Sequence, residues 1–184
     1  MAIQDAIRQA LEARNLTLTL IDRGYDFEVL PQTEDVLTGA GCRIEVGPYL
    51  LEVKATTTGQ ARMTPTQAAT ASAEASRYVL CVIDLREVSE ERLDGEWFAA
   101  DVEPLAVLVK DIGNEVAETC QHVERARESD VAIRNEEALR YEAPVAVWQR
   151  GVSIGDWVQQ LSQHFPTQEG QAAAIPTTPG TESS

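Results

Sequence analysis

Two periodicities in the hydrophobic and polar positions organise the first part of the chain. Apolar residues at helical spacing predict an amphipathic helix over residues 3–14. Alternation with a period of two predicts half-buried strands over residues 16–21 and 24–30. The pattern therefore places one helix before two strands.

The second of these strands is predicted to separate its side chains by type. Side chains alternate between the two faces of a strand, so one face would carry Tyr25, Phe27 and Val29 and the other Asp26 and Glu28. Asp26 is thus a charged side chain with apolar neighbours on both sides.

A loop over residues 31–41, rich in turn formers, precedes a predicted hairpin. Its strands are residues 42–46 and 49–55, joined by a Gly-Pro turn. Residues 56–62 are predicted to form a mobile loop.

A helix and a buried strand complete this part of the chain. We expect a helix over residues 66–75, with Pro65 near its start and Thr64 or Thr66 as its cap. Residues 77–85 are nearly all apolar, which is typical of a strand buried on both faces. The order helix, three strands, helix, strand implies an α/β fold with a mixed sheet flanked by helices.

The second half of the chain has shorter patterns. The predicted elements are a strand over 104–112, an acidic helix over 113–128, short strands within 130–134 and 139–148, and a Ser-capped helix over 153–165. Residues 86–103 form an acidic run, which is interpreted as a solvated linker or loop. The alternative is an acidic surface that mimics DNA. Three regions result: a core at 1–86, an acidic α+β extension packed on it at 87–165, and a disordered tail at 166–184.

The net charge of −15 is unevenly distributed along the chain. Residues 1–86 contain 8 Lys/Arg and 11 Asp/Glu, and residues 87–184 contain 7 and 19. An evenly basic nucleic-acid binder is excluded, because phosphate neutralisation needs clustered Lys and Arg. A local site in the first half remains open, and the acidic half is a possible docking face for a protein partner.

Several other classes of protein do not fit the sequence. No apolar run approaches the ~20 residues of a membrane span. Three widely spaced cysteines, Cys42, Cys81 and Cys120, favour inert thiols and a cytoplasmic protein. The phosphate-binding loop pattern of many ATPases is missing, so no ATP site of that kind is expected in this chain. The three tryptophans are expected in core or interface packing.

The stretch Leu50-Leu51-Glu52-Val53-Lys54 sets one acid and one base two positions apart on a predicted strand. Both side chains then project from the same face. If the strand of Asp26 lies nearby, its carboxylate and that of Glu52 can converge on one point, where a cation would offset their repulsion. Hard oxygen ligands suit Mg²⁺ or Mn²⁺. The alternative is an ordinary ion pair of Glu52 and Lys54 on a strand.

These residues carry a resemblance. Asp26, followed 26 residues later by Glu-x-Lys within this element order, resembles the PD-(D/E)XK nuclease superfamily, which has a restriction-endonuclease-like fold. The stretches RGYDFEV, YLLEVKATTTGQARMTPTQAATA and RYVLCVIDL are most similar to the NO VEIN C-terminal domain family. The resemblance covers roughly residues 10–86. Tyr25 stands where the superfamily pattern has a proline.

The resemblance implies a Mg²⁺- or Mn²⁺-dependent nuclease that hydrolyses DNA phosphodiester bonds. Asp26, Glu52 and the backbone carbonyl of Val53 would hold the metal, and Lys54 would position the attacking water. Glu12 and Gln67 are further catalytic candidates. The alternatives are that Glu12 is a solvated helix residue and that Gln67 is a polar residue near a helix start.

The resemblance also implies a place in a larger prokaryotic defence or repair assembly. Few basic residues surround the candidate site, among them Arg43, Arg62 and Arg77, so another domain or subunit would assist DNA binding. The rival hypothesis is a catalytically inactive module of the same fold that serves as a protein-interaction or regulatory domain.

Overall fold

The computed structural model describes residues 2–21, 23–31, 48–127 and 140–164. The strands are β1 (Leu16–Leu20), β2 (Phe27–Pro31), β3 (Tyr49–Thr56), β4 (Ala61–Met63), β5 (Tyr78–Asp84), β6 (Ala106–Val109) and β7 (Tyr141–Ala143). The α-helices are α1 (Ile3–Glu12), α2 (Pro65–Ala73), α3 (Glu90–Leu93), α4 (Ala99–Val102), α5 (Ile112–Arg127), α6 (Val145–Trp148) and α7 (Ile154–His164). A 3-10 turn spans Glu103–Leu105.

Five strands form one mixed sheet in the order β1-β2-β3-β5-β6. β1, β2 and β3 are successively antiparallel, β3 and β5 are parallel, and β6 is antiparallel to β5. The parallel pair is connected through α2, because parallel neighbours need a crossover. β4 and β7 form a separate two-stranded sheet. The predicted mixed sheet flanked by helices is confirmed.

Each face of the large sheet is covered by its own cluster of buried side chains. One cluster takes side chains from α1, α4 and α7, and the other from α2, α5 and α6. We call the side covered by α2 and α5 the α2 face. Every residue from Tyr78 to Ile83 is buried, which confirms the prediction of a strand enclosed on both sides.

The three tryptophans lie in these clusters, as predicted. Trp97 and Trp157 belong to the cluster on the α1 side, and Trp148 belongs to the cluster on the α2 face. Cys81 is also buried in the core. The three tryptophan rings therefore pack in the interior and are not exposed for stacking on bases.

The start of β2 differs from the predicted strand over 24–30. Residues 23–26 bend, and the ladder begins at Phe27, which pairs with Leu51. The prediction that Tyr25 shares a face with Phe27 is wrong, because Tyr25 packs against the cluster on the α2 face.

Two segments predicted as loop or strand differ in part from the prediction. Residues 56–62 contain a turn and then β4, whose Ala61 and Met63 are buried. The short strand predicted within 139–148 is confirmed for β7, but Pro144 ends β7 and starts α6, so the residues that follow are helical. A proline favours the first turn of a helix over a ladder position, because it lacks an N–H.

The acidic run at 86–103 was predicted to be a solvated linker, and this is wrong for part of it. It contains α3 and α4, and Trp97 and Val102 are buried in the core. Its carboxylates remain at the surface while these two apolar residues anchor the segment. The many charged residues around Trp97 and Val102 therefore made the burial of these two side chains difficult to predict from the sequence.

The second half of the chain contributes to the same sheet and clusters as the first. β6, α5 and α7 match the predicted strand and helices, and Ser153 caps α7 by accepting the Asp156 N–H at 3.1 Å. The predicted strands over 42–46 and within 130–134, Cys42 and the tail at 166–184 lie outside the described residues. None of the described helices is long and apolar enough to cross a membrane.

Candidate active site

Glu52 is a charged residue in the middle of the large sheet. It lies on the α2 face of β3, level with Leu80 of β5 and between Leu50 and Lys54 along the strand. Its side chain is only 2 % exposed. A carboxylate is rarely buried to this extent unless it is paired, so its partners define the site.

The two carboxylate oxygens of Glu52 have different environments. Oε1 lies 2.5 Å from Nζ of Lys54 and accepts a 2.6 Å hydrogen bond from Nε2 of Gln67. Oε2 is buried and has no hydrogen-bond partner among the described residues. Oε1 thus has two polar partners, whereas Oε2 is open to a further ligand.

The electrostatics of Glu52 follow from this arrangement. The pKa of Glu52 is raised to about 7, chiefly by burial and in part by the nearby charge of Asp26. The hydrogen bond and charge of Lys54 act in the opposite direction but do not offset the burial. Near neutral pH both the protonated and the ionised form of this carboxyl group are therefore populated.

Asp26 lies beside Glu52, just outside the β2–β3 ladder. Because Phe27 pairs with Leu51, antiparallel register places Asp26 level with Glu52. Its Oδ2 accepts the backbone N–H of Val53 at 2.7 Å, and its Oδ1 accepts Nε2 of Gln4 at 2.8 Å. The structure therefore brings Asp26, Glu52, Lys54 and Gln67 into one region.

The bend before Asp26 is held against α2 and β5. Gly24 has φ +92°, and a Cβ placed on it would lie 2.5 Å from Oγ1 of Thr70. The Tyr78 hydroxyl donates to the Gly24 carbonyl at 3.2 Å. Burial and the charges of Glu52 and Asp26 raise the pKa of Tyr78, so its hydroxyl remains a donor. Glycine at this position lets the chain approach α2 closely enough to aim Asp26 at β3.

The orientation of Gln67 is fixed by the capping box of α2. Its N–H donates to Oγ1 of Thr64 at 3.3 Å, and its Oε1 accepts the Thr64 N–H at 2.8 Å. Since the amide oxygen is held by the cap, the amide nitrogen must point the other way, towards Glu52. Thr64 is the cap, so the alternative cap Thr66 is wrong.

Glu12 is not brought to this region. It is exposed in the last turn of α1, whereas Gln4, in the first turn, contacts Asp26. Gln4 and Glu12 are eight positions apart in the helix, which corresponds to about 12 Å along its axis. Sequence reasoning missed Gln4, because a polar residue in an amphipathic helix has no signal of its own until the helix is placed.

The residues present suit a hard divalent cation that keeps part of its water shell. The unpaired buried Oε2 of Glu52, the Asp26 carboxylate beside it and the carbonyl of Val53 are all oxygen donors. No group of three or more His, Cys, Asp and Glu side chains among the described residues could hold a metal ion. Mg²⁺, however, is commonly held by one or two carboxylates together with water and substrate oxygens.

Comparison with known proteins gave no match to a family model, a curated protein or a solved structure. The local geometry and chemistry around Glu52 are thus the basis for assigning a function.

Proposed function

We propose that this protein is a metal-dependent nuclease that hydrolyses DNA phosphodiester bonds. One observation carries the proposal: a buried carboxylate, Glu52, has one unpaired oxygen, a second carboxylate beside it and a lysine on its other oxygen. Two adjacent acids and a base at one point of a sheet are poorly explained by stability alone, because burying them is costly. The same constellation underlies the resemblance to PD-(D/E)XK nucleases.

Asp26, Glu52 and the Val53 carbonyl are the groups that would hold Mg²⁺ or Mn²⁺. When bound, such a cation neutralises charge on a phosphoryl oxygen and makes a coordinated water more acidic. The N–H of Val53 and the amide of Gln4 fix the orientation of the Asp26 carboxylate before any ligand arrives. Binding would also favour the ionised form of Glu52, since a cation stabilises a nearby carboxylate.

Lys54 and Gln67 both contact Glu52 but have different roles: Lys54 acts on the substrate, and Gln67 orients Glu52. The Lys54 side chain is 24 % exposed, so its ammonium group can reach a bound phosphate while it contacts Glu52. There it orients the attacking water and stabilises the negative charge that develops on the phosphate. Gln67 holds Oε1 of Glu52 and so keeps Oε2 turned to the cation site.

The overall charge bears on how the substrate reaches this site. With a net charge of −15, the chain has little general attraction for DNA. We therefore propose that a second domain or subunit supplies DNA affinity, as in a defence or repair assembly. Cleavage by the isolated chain is then expected to be slow, because few basic residues are available to neutralise phosphates.

The direct test is cleavage of linear, circular and single-stranded DNA with Mg²⁺ or Mn²⁺. Lys54→Ala is expected to lower the rate by roughly 100-fold or more, in line with loss of a group that stabilises the transition state. Lys110→Ala is the matched control, because Lys110 is the other lysine of the chain and bonds Gln160 at the surface. It should cleave at the wild-type rate.

Calorimetric titration with Mn²⁺ separates the proposal from its rival. Binding that is lost in Glu52→Gln supports the nuclease. If the wild-type protein neither cleaves DNA nor binds the cation, Glu52 and Lys54 are a structural ion pair. The inactive interaction module is then the better description.

A further inference from the structure

We propose that Arg86 is a second phosphate-binding residue, which contacts the nucleic-acid backbone beside the reaction centre and positions the strand. The inference rests on the nuclease function proposed above and adds a residue to the substrate-binding surface. Arg86 lies just beyond β5, at the carboxyl end of the parallel pair β3 and β5.

The register of the parallel pair places Arg86 on the same side as the candidate site. Thr56 pairs with Asp84, and both follow the alternation of Glu52 and Lys54 on the α2 face. At about 3.3 Å per residue, Thr56 and its partner Asp84 are about 13 Å from the level of Glu52, and Arg86 lies two residues further along the chain. The guanidinium of Arg86 lies 5.3 Å from the ring of Trp148, which belongs to the cluster on the α2 face. Ligands of α/β sheets commonly bind at this carboxyl end of parallel strands.

The guanidinium is held in a fixed plane. Nε and Nη2 donate to the two oxygens of Asp84 at 2.8 and 2.7 Å. The chain passes below it at Gly59, where an added Cβ would lie 3.3 Å from Cδ of Arg86. The Gly59 carbonyl accepts the indole N–H of Trp148 at 2.9 Å, which fixes the ring under the guanidinium. These contacts remove most of the entropy that a free arginine would lose on binding.

One edge of the guanidinium is left for a ligand. Nη1 of Arg86 donates no hydrogen bond within the described part of the chain, and the side chain is 33 % exposed. Arginine offers planar N–H donors that match phosphate oxygens, and it remains charged at all relevant pH values. A phosphate of a strand bound across Lys54 is the ligand that this open edge fits.

Arg92 provides a matched control elsewhere on the molecule. It also stacks on a tryptophan, Trp97, at 4.2 Å, and pairs with Asp101 at 2.8 Å. Its Nη1, however, donates to the Glu96 carbonyl, so that edge is already occupied. Its partner Trp97 belongs to the cluster on the α1 side, on the face of the sheet opposite to Trp148. Arg92 therefore reproduces the packing of Arg86 without the open edge.

The experiment measures binding of a fluorescein-labelled DNA duplex with a single-stranded overhang, in EDTA, over a range of salt concentrations. For Arg86→Gln we expect roughly tenfold weaker binding. The slope of log K against log salt should fall by about 0.7 to 0.9, the value for one phosphate contact. Arg86→Lys should restore the slope, because it keeps the charge, and Arg92→Gln should match the wild type. Equal slopes for Arg86→Gln and Arg92→Gln overturn the inference.

Cleavage assays on the same proteins separate this inference from the proposed function. A higher KM with unchanged kcat in Arg86→Gln supports a strand-positioning role. A wild-type protein that cleaves DNA while Arg86→Gln has the wild-type slope and KM keeps the nuclease and overturns the role of Arg86. A wild-type protein that binds DNA with the predicted slope change but cleaves nothing overturns the nuclease instead. Absence of both binding and cleavage overturns both.

Discussion

At the scale of single residues, Glu52 makes folding and proton binding interdependent. Its folded pKa of about 7 exceeds the ordinary value of 4.5, so the folded state binds the proton more tightly than the unfolded state. This contribution to stability is complete below about pH 4.5 and is lost as the pH rises through 7. Glu52→Gln removes the titration. Between pH 5 and pH 8, the free energy of unfolding should shift in favour of the variant by up to about 3 kcal/mol.

Urea unfolding in EDTA at the two pH values measures this shift. The variant carries its own constant cost, since a buried amide replaces the unpaired oxygen, so the comparison depends only on the change with pH. Glu12→Gln is the control, because that side chain is exposed on α1. A Glu52→Gln difference that stays constant from pH 5 to pH 8 would contradict the assignment of the raised pKa to Glu52.

Gly24 gives a second prediction at this scale, about the bend that positions Asp26. Gly24→Ala should destabilise the protein by roughly 1–3 kcal/mol, because φ is +92° and the new Cβ would contact Oγ1 of Thr70. Thr70→Ala in the same chain should relieve the clash but not the backbone strain. Gly155→Ala, in α7, is the control, since its Cβ would meet only Oγ of Ser153 at 3.8 Å. Chemical denaturation of the three variants and the wild type checks the order, and a neutral Gly24→Ala refutes it.

The proximity of Lys54 and Glu52 could be predicted from strand periodicity, whereas that of Asp26 also required β2 to pair with β3. Residues two apart share a face, which places Lys54 next to Glu52, and antiparallel pairing brings Asp26 level with them. The contact between Gln4 and Asp26 depends on how α1 packs across the sheet, and the stacking of Arg86 on Trp148 depends on the position of α6. Neither has a local pattern in the sequence.

At the scale of elements, the start of α2 connects helix stability to the site. Thr64→Ala removes the acceptor for the Gln67 N–H and should cost about 1 kcal/mol of unfolding free energy. Thr66→Ala is the matched control, because Thr66 is exposed in the same turn and does not cap the helix. Thermal and urea unfolding measure both. Equal losses in the two variants would show that the capping box contributes nothing beyond helix propensity.

Long and strongly patterned elements were predictable, whereas short ones that depend on partners were not. β5 is an unbroken apolar run, and its burial on both faces follows from that. β4 has three residues and exists because β7 pairs with it from 80 residues away. In the acidic run, Trp97 and Val102 are buried although charged residues surround them in sequence. Local composition does not contain such distant pairings.

At the scale of the whole molecule, charge and packing divide the chain differently. The acidic excess lies almost entirely after residue 86. The sheet and both clusters nevertheless combine residues from before and after that point, since β6 pairs with β5 and α7 packs on the α1 side. The acidic surface therefore belongs to elements that also complete the interior. Charge distribution was readable from composition, and the shared interior was not.

This shared interior predicts that residues 1–86 do not fold alone. Without the rest of the chain, β5 loses its neighbour β6, and the two clusters lose Trp148 and Trp157, both almost fully buried. Removing one buried tryptophan side chain typically costs about 3–5 kcal/mol, and the stability of a domain is only about 5–15 kcal/mol. The fragment 1–86 should give an unfolded far-UV circular dichroism spectrum and poorly dispersed amide resonances, while the fragment 1–164 unfolds cooperatively. A cooperative transition in the shorter fragment would instead make residues 87–164 an addition to an independent core, and the candidate site could then be studied without them.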